Sequence, residues 1–410
     1  MDRSPTELAE IVRVEGRAVL ATLARRLGSL DLAEDAVQDA MVKAIERWPA
    51  AGVPDRPGAW LTTTAHNAAL DRLRREGRRG PKEEAAMVLL ADDDPEPPHA
   101  SVVSDDLLRL VFTCCHPALH PEARVALALR TLCGLTTAEV AAAFLVAEPT
   151  MAQRIVRAKR KIAAANIPYR VPADHELPDR LPAVLAVVYV VFTEAHHSST
   201  AASPVRVDLG DEAIRLGRLL VDLMPDVPEC QGLLALMLAT HARRAARLDD
   251  AGDIVLLGDQ DRRRWDHDAI AEAAAIVEGT LRRREVGPYQ VQAAIACLHG
   301  LAASNEATDW PQIAELYGIL EQLQPTPVVR VNRAAAVAEA VGPEAGLAVL
   351  DTVEGVDQWH LFHAARADLL RRLERRGDAL AAYRQALACG PNGADRRFLM
   401  ARIEDLGSTA

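Results

Sequence analysis

TTAEVAAAFLVAEPTMAQRIVRAKRKIA, residues 136–163, divides at Pro149 into two short helical patterns, and that division decides how this part of the chain folds. Thr136 and Glu139 have the S/T-x-x-E spacing with which two side chains satisfy the free N–H groups of a helix start. Val140, Ala141 and Phe144 follow at helical spacing and form an apolar stripe. Pro149 suits the first turn of a second helix, where its missing N–H needs no partner. In that helix Met151 or Ala152, Ile155, Ala158 and Ile162 fall on one side. Thr150, Gln153, Arg154, Arg157, Arg160 and Lys161 fall on the other, with Lys159 at the flank. Two helices, a tight turn and a basic outer face on the second describe a helix-turn-helix, whose second helix enters the DNA major groove. Arg and Gln grip base edges at two points, worth roughly 1–3 kcal/mol per contact. The competing reading is a solvated basic face in an all-α protein.

Composition bounds the remainder. The chain has 410 residues, half of them hydrophobic and only 4% aromatic, enough for two or three domains with cores built from helices. Its net charge of −11 argues against indiscriminate adhesion to nucleic acid, so a local basic face has a specific use. Up to Glu176 there are 23 Lys and Arg against 25 Asp and Glu; beyond it there are 24 against 33. All four lysines (Lys43, Lys82, Lys159, Lys161) lie in the first part, so the two parts differ in kind. The six cysteines show neither paired zinc spacing nor disulfide-scaffold density. The N-terminus has no signal-peptide core, and the apolar run 181–192 is too short to span a bilayer and contains Pro182. A cytoplasmic protein without a membrane segment is the expectation.

Residues 6–28 read as an amphipathic helix closed by Gly28, and Asp31 with Glu34 offers a capping start to a second. In that helix Leu32, Ala33, Ala36, Val37, Ala40, Met41, Ala44, Ile45 and Trp48 keep helical phase, while Glu34, Asp35, Gln38, Asp39 and Glu46 line the opposite face. Pro49, Pro54 and Pro57 then break the chain, and a third helix, GAWLTTTAHNAALDRLRREGRR, begins at Gly58. Leu61, Ala65, Ala68, Ala69 and Leu73 bury one side of it. Thr62, Thr63, His66 and Asn67 make the other side small and polar. Arg72, Arg74, Arg75, Arg78 and Arg79 at its end suit phosphates. Trp60 either stacks on an unpaired base or is a core tryptophan at a helix start.

DLAEDAVQDAMVKAIERWP followed by AWLTTTAHNAALDRLRRE resembles region 2 of bacterial sigma factors of the extracytoplasmic-function group. HPEARVALALRTLCGLTTAEVAAAFLVAEPTMAQRIVRAKRKI resembles their region 4, in the right order, with a short linker and no region 1.1 or region 3. The likeness covers residues 6–165 at motif level. DQDRRRWD (259–266), GPYQVQAAIA (287–296) and PVVRVNRAAAVAEA (327–340) resemble a subgroup carrying a helical, tetratricopeptide-like extension. The resemblance implies that Asp35, Gln38, Asp39 and Glu46 dock on the polymerase clamp. It places Trp60, Thr62, Thr63, His66 and Asn67 near unstacked −10 bases, and the arginines after them near phosphates. It gives Thr150, Gln153, Arg154, Arg157, Lys159, Arg160 and Lys161 to the −35 duplex, with the preceding helix facing the polymerase flap.

Segment 83–106 carries Glu83, Glu84, Asp92, Asp93, Asp94, Glu96, Asp105 and Asp106 without a Lys or Arg, and reads as a tether or as an acidic strand threading a basic polymerase channel. FTCCHPALH (112–120) crowds Cys114, Cys115, His116 and His120, but adjacent cysteines rarely fit one tetrahedral metal, and a packed helix start is expected. EAHHSS (194–199) puts Glu194, His196 and His197 near Asp208, which keeps a metal-dependent enzyme as an alternative; no HExxH, nucleophile elbow or phosphate loop accompanies them. In the subgroup a Gly-Tyr pair often stands where Ala195 and His196 do.

Taking 360–393 as one unit, Ala379, Tyr383, Ala386 and Pro391 fit the 34-residue tetratricopeptide spacing. One period earlier stand Ala345, Val349 and Thr352, and a looser copy holds Ile313, Tyr317, Leu320 and Pro325. Such arrays hold a protein or peptide partner and perform no reaction. The expected protein is all-α: region 2 over 1–80, an acidic linker over 81–106, region 4 over 107–170, a helical extension over 171–290 and repeats over 291–410. It would be a sigma factor without cofactor or catalytic residue, partnered by core RNA polymerase and promoter DNA, with a fused regulatory extension. A helix-turn-helix regulator with a partner-sensing repeat domain is the alternative.

Overall fold

The computed structural model describes residues 5–76, 100–144, 146–165, 167, 169–170, 172–173, 175–197, 209–249, 253–391 and 393–408. Among them the chain forms eighteen α-helices and no strand, with one isolated antiparallel bridge between Leu248 and Ile254. The all-α expectation holds. The chain divides into two compact units: one of Met1–Ala195 with Pro204–Leu223, the other of His196–Ser203 with Met224–Ala410.

In the first unit, α1 (Pro5–Leu27) packs on α2 (Leu30–Ala51), α3 (Pro57–Glu76) and α4 (Ala100–Cys114). Every residue from Val19 to Ala24 is buried, more than one full turn, so this stretch of α1 has no solvent side. Gly28, at φ 61°, turns the chain between α1 and α2. Ser29, two residues before the expected Asp31, caps α2 by accepting from Leu32 N–H at 3.4 Å. Pro49 does not end α2, which runs on to Ala51 and closes where Gly52 N–H donates to the Trp48 carbonyl at 2.9 Å.

The acidic segment behaves differently from a tether running to residue 106. Helix α4 already begins at Ala100, because Leu108, Leu110, Val111 and Phe112 have α1 to pack against. The Asp106 side chain is 0% exposed and accepts from Arg25 at 2.5 Å, with Arg109 at 3.5 Å. An acid assigned to solvent is thus a buried link from α4 to α1. Glu83, Glu84, Asp92, Asp93, Asp94 and Glu96 lie outside the described residues.

Helices α5 (Pro121–Thr131), α6 (Thr137–Ala143) and α7 (Glu148–Ala164) pack on one another after α4. Cys114 and Cys115 lie at the end of α4, a helix end and not a start, where burial pushes both thiols up, Cys115 to about 12. They are core residues. His116 turns its Nδ1 to accept from Ala118 N–H at 3.1 Å. Helix α8 (Leu177–His197), as far as Ala195, and α9 (Leu209–Leu223) also belong to this unit. Arg180 of α8 donates to the Phe112 carbonyl at 2.9 Å, and Arg215 of α9 donates to the Leu132 carbonyl at 3.0 Å. The boundary expected near residue 170 is therefore bridged by two side chains. No helix among the described residues is long and apolar enough to cross a membrane.

The second unit is a stack of packed helix pairs: α10 (Pro228–His241) with α11 (His267–Leu281), α12 (Pro288–Leu301) with α13 (Trp310–Leu323), α14 (Pro327–Ala340) with α15 (Pro343–Leu350), and α16 (His360–Arg372) with α17 (Arg376–Ala388). Helix α18 (Gly393–Ser408) packs on α17. The stack begins at Pro228, well before the expected 291; the long connection between α10 and α11 conceals the first pair from a periodicity reading. The second helices of the last three pairs start at Trp310, Pro343 and Arg376, 33 residues apart instead of 34. The middle seam accordingly lies one residue later than expected, at Gly346, Leu350 and Val353. In the outer seams Ile313, Leu320, Ala379, Tyr383, Ala386 and Pro391 are buried as expected, whereas Tyr317 is half-buried and Pro325 is exposed.

Gly346 is needed at that seam. A Cβ there would stand 2.6 Å from Ala338 Cβ and 2.7 Å from the Ala334 carbonyl oxygen, whereas at Gly318 it would meet nothing within 4 Å. Gly346→Ala should lower stability by about 1–3 kcal/mol through overpacking. Gly318→Ala should raise it by about 0.5–1 kcal/mol through helix propensity. Denaturation midpoints followed by circular dichroism should move in opposite directions.

Candidate nucleic-acid interface

The helix-turn-helix is built as its sequence requires. Thr136 Oγ1 accepts from Glu139 N–H at 3.2 Å, and Glu139 Oε2 accepts from Thr136 N–H at 2.6 Å, closing the capping box. Met151, Ile155, Ala158 and Ile162 of α7 are buried, which turns the opposite side outward. Thr150, Gln153, Arg157, Arg160 and Lys161 are exposed there. Among the described residues, none of Gln153, Arg157, Arg160 and Lys161 makes an intramolecular ion pair or side-chain hydrogen bond. Val156, also exposed, stands among them; an apolar residue on a basic face was passed over in the sequence, and its chemistry suits a thymine methyl.

Two residues expected on this face have other partners. Arg154 pairs with Glu122 of α5 at 3.0 Å and lies 5.7 Å from the Phe144 ring, which braces α7 against α5 and α6. Lys159 is only 11% exposed and binds Asp31 at 2.9 Å and Glu34 at 2.8 Å, both on α2. Burial pushes its ammonium down, but Glu34 and Asp31 outweigh that and the net shift is upward. Lys159 is therefore a corrected assignment: it ties α7 to α2 and does not point to solvent. Sequence spacing placed it on the flank, and only the approach of α2 decided which way the flank faces. A shallow cleft lined by Ser29, Asp31, Lys159, Ile162 and Tyr169 follows this seam.

On α2 and α3 the expected polar faces are also partly drawn inward. Thr62 and His66 are buried, and Thr62 Oγ1 donates to the Gly58 carbonyl at 2.8 Å. Their assignment to unstacked bases is overturned, because α3 packs against both α1 and α2 and so needs a wider buried stripe than one neighbour would demand. Thr63 and Asn67 remain exposed. Trp60 is half-buried, edge-on to Trp48 with ring centroids 5.5 Å apart, so the core and the surface share it. Arg72 reaches back to α2, with Nη1 2.5 Å from Asp35 and Nη2 3.1 Å from Asp39, and is not free for a phosphate. Asp71 engages Arg74 at 3.8 Å, and its carbonyl accepts from Arg75 at 3.1 Å. Arg78 and Arg79 lie outside the described residues.

The outer side of α2 presents Gln38 and Glu46 with Val42 and Ile45, 51% and 55% exposed. The phasing in the sequence assigned Ile45 to the core. Instead, two large apolar side chains stand in an acidic surround, the composition of a protein-docking face. Glu194, His196 and His197 lie on α8, but their side chains and Asp208 are outside the described residues. No group of three or more metal-ligating side chains assembles among the residues that are described.

Lys159→Met should destabilise the first unit by about 1–3 kcal/mol, since the nearly buried Glu34 loses its partner. Arg157→Met should stay within about 0.5 kcal/mol of the parent. Thermal unfolding of the two variants checks the contrast.

Known proteins match the chain in several segments. The family model for sigma-70 region 2 matches residues 11–79, that for sigma-70 region 4 matches residues 109–162, and a family of unknown function (DUF6596) matches residues 180–281. Uncharacterized protein R00370 of Rhizobium meliloti (strain 1021) is 43% identical over 398 residues, 95% of this chain and 93% of its own. The ECF RNA polymerase sigma factor SigJ of Mycobacterium tuberculosis (strain ATCC 25618 / H37Rv) is 31% identical over 181 residues, 42% of this chain and 56% of its own.

Proposed function

The chain belongs to the extracytoplasmic-function type of sigma-70 factor, with a C-terminal extension, and from that membership we propose how its surfaces divide the work. Its partners are core RNA polymerase and promoter DNA. Helices α1–α3 act as region 2 and α4–α7 as region 4. RNA synthesis itself stays with the polymerase, in the cytoplasm.

The observation that carries the DNA assignment is the outer face of α7. Thr150, Gln153, Arg157, Arg160 and Lys161 are exposed there without ion-pair partners among the described residues, on a chain of net charge −11. They read the −35 duplex, Gln153 and the arginines at base edges and Lys161 at phosphate. On α3, Thr63 and Asn67 face the −10 bases, Trp60 offers its free edge, and Arg74 and Arg75 serve the backbone. On α2, Val42 and Ile45 form the apolar centre of the clamp contact. Gln38, Glu46 and the exposed sides of Asp35 and Asp39 surround them.

The Lys159 tie has a consequence for this activity. The −35 and −10 elements are about 25 base pairs apart, roughly 85 Å of duplex at ~3.4 Å per pair. Helices α2 and α7 are here within ion-pair reach. Reading both elements at once requires α7 to leave α2, so the tie opposes promoter engagement until polymerase draws region 2 away. The extension then acts as a fused regulator. Its first two helices, α8 and α9, rest on region 4, so the minimal active fragment ends at Leu223 and not at Glu176.

Reconstituted transcription tests these roles, with full-length chain or a 1–223 fragment, sigma-free core polymerase, and mapped 5′ ends on genomic fragments. Discrete starts sharing two elements are expected. Changing Arg157 and Arg160 together to Gln should lower transcription at least tenfold and leave core binding intact. Changing Val42 and Ile45 together to Asp should remove core binding. Lys159→Met should raise affinity for core by a few-fold. No starts and no core binding from either length would sink the reading.

A further inference from the structure

The segment 242–266, between α10 and α11, takes no part in the surfaces described above, and it gathers charge in an unusual way. Several arginines of the second unit are paired: Arg330 and Arg333 with Glu321, Arg366 with Asp351, Arg372 with Glu339, Arg375 with Asp378. Arg243, Arg247 and Arg262 are not, although they are drawn in from the surface. All three are half-buried, and among the described residues no carboxylate lies within ion-pair distance of any of them, although Glu306 acts on Arg262 from farther away. The guanidinium of Arg262 lies 4.5 Å from the centre of the Trp265 ring and that of Arg243 lies 5.9 Å from it, so two cations share one buried ring.

The hydrogen bonding is incomplete at the same place. Arg262 Nη1 donates to the carbonyls of His299 and Ala302, both at 2.8 Å, and so closes the end of α12. Its Nη2 is buried without a partner, as are Arg243 Nε, Trp265 Nε1, His299 Nδ1 and the acceptor Gln260 Oε1. Native proteins leave few buried polar atoms unpaired, and donors gathered around one ring can be served by a water or by a bound group. A cation–π contact attracts a guanidinium but satisfies none of its N–H donors and cancels none of its charge.

We propose that Arg243, Arg247 and Arg262 form a binding site in the extension for a small phosphate-bearing molecule. Three cations call for a multivalent anion, since one carboxylate would leave two charges uncompensated. The unpaired Arg243 Nε and Arg262 Nη2 are charged N–H donors of the kind that phosphate oxygens accept from. The chain beyond Glu176 carries 33 acidic against 24 basic residues, which opposes a long polyanion but admits a small one to a local cationic site. Electrostatics agrees with the geometry. Burial, with repulsion from Arg247 and Arg262, pushes Arg243 down to about 10. Burial also pushes His299 down, to about 4, with Arg243 and Arg262 adding to the effect, so at neutral pH this imidazole is an uncharged group beside two cations.

Isothermal titration of the full-length protein with inorganic pyrophosphate, at ionic strength held constant with sodium chloride, tests the site. A saturable 1:1 heat is expected, weakened at least tenfold by Arg243→Met and by Arg247→Met. Neither variant should melt earlier than the parent in phosphate-free buffer, because each removes an uncompensated charge. Changing Arg157 and Arg160 together to Gln should leave the heat unchanged. Three results would overturn the proposal: no saturable heat, a titration that survives both methionine variants, or one that disappears with Arg157 and Arg160. A variant that unfolds would mark its arginine as packing, and the site would then stand or fall on the other. Transcription plays no part in the readout, so failure here leaves the sigma-factor assignment untouched.

Discussion

Helix α1 has no face for water between Val19 and Ala24, and the rest of the first unit depends on that constraint. A turn buried all round must be covered from several directions at once. It is covered by α2, α3 and α4, which come from both sides of the acidic segment. The closure carries polar fastenings at the same depth: Arg17 donates to the Cys133 carbonyl at 2.7 Å, and Arg25 meets the buried Asp106 at 2.5 Å. Apolar burial supplies the driving force, and these bonds fix which helix covers which side. Breaking such a buried pair leaves a charge without water or partner, which is why they enforce register more than they add stability.

That closure determines what remains for DNA and polymerase. Polar side chains that a helical wheel assigns outward are used internally wherever a neighbour arrives: Thr62 and His66 under α1 and α2, Arg72 on Asp35 and Asp39, Lys159 on Asp31 and Glu34. The groups left exposed form smaller and better-defined surfaces than the sequence suggests. Val42, Ile45 and Val156 show the converse, apolar side chains left in water because no helix covers them. In a protein that works by docking, those exposures are as informative as the basic ones.

The second unit follows a simpler rule. Each helix pair buries its seam against the next, and the close approach at Gly346 sets the spacing of the middle pair. Departures from the repeat occur where chain is inserted between paired helices, at 242–266 and 302–309. The first of these insertions carries the unpaired arginines. Repeat architecture tolerates such insertions because each pair touches only its neighbours, so a site can be added without disturbing the seams.

Much of this was legible in the sequence for a physical reason: a local pattern suffices when its energetics are local. The capping box at Thr136 and Glu139, the buried stripe of α7 and the helix pairs from 288 onward depend on spacing within one or two helices. The resemblance of two ordered motifs then supplied the function. Other features involve partners far apart in sequence. Lys159 meets Glu34 across 125 residues and Arg25 meets Asp106 across 81. Whether an acid is solvated or buried, and whether a lysine faces DNA or a neighbouring helix, depends on which surface arrives there. The sequence by itself determined the helices, their inner stripes and the family. Only the tertiary structure decided which polar groups were left over for function, because burial belongs to the packed unit and not to the residue.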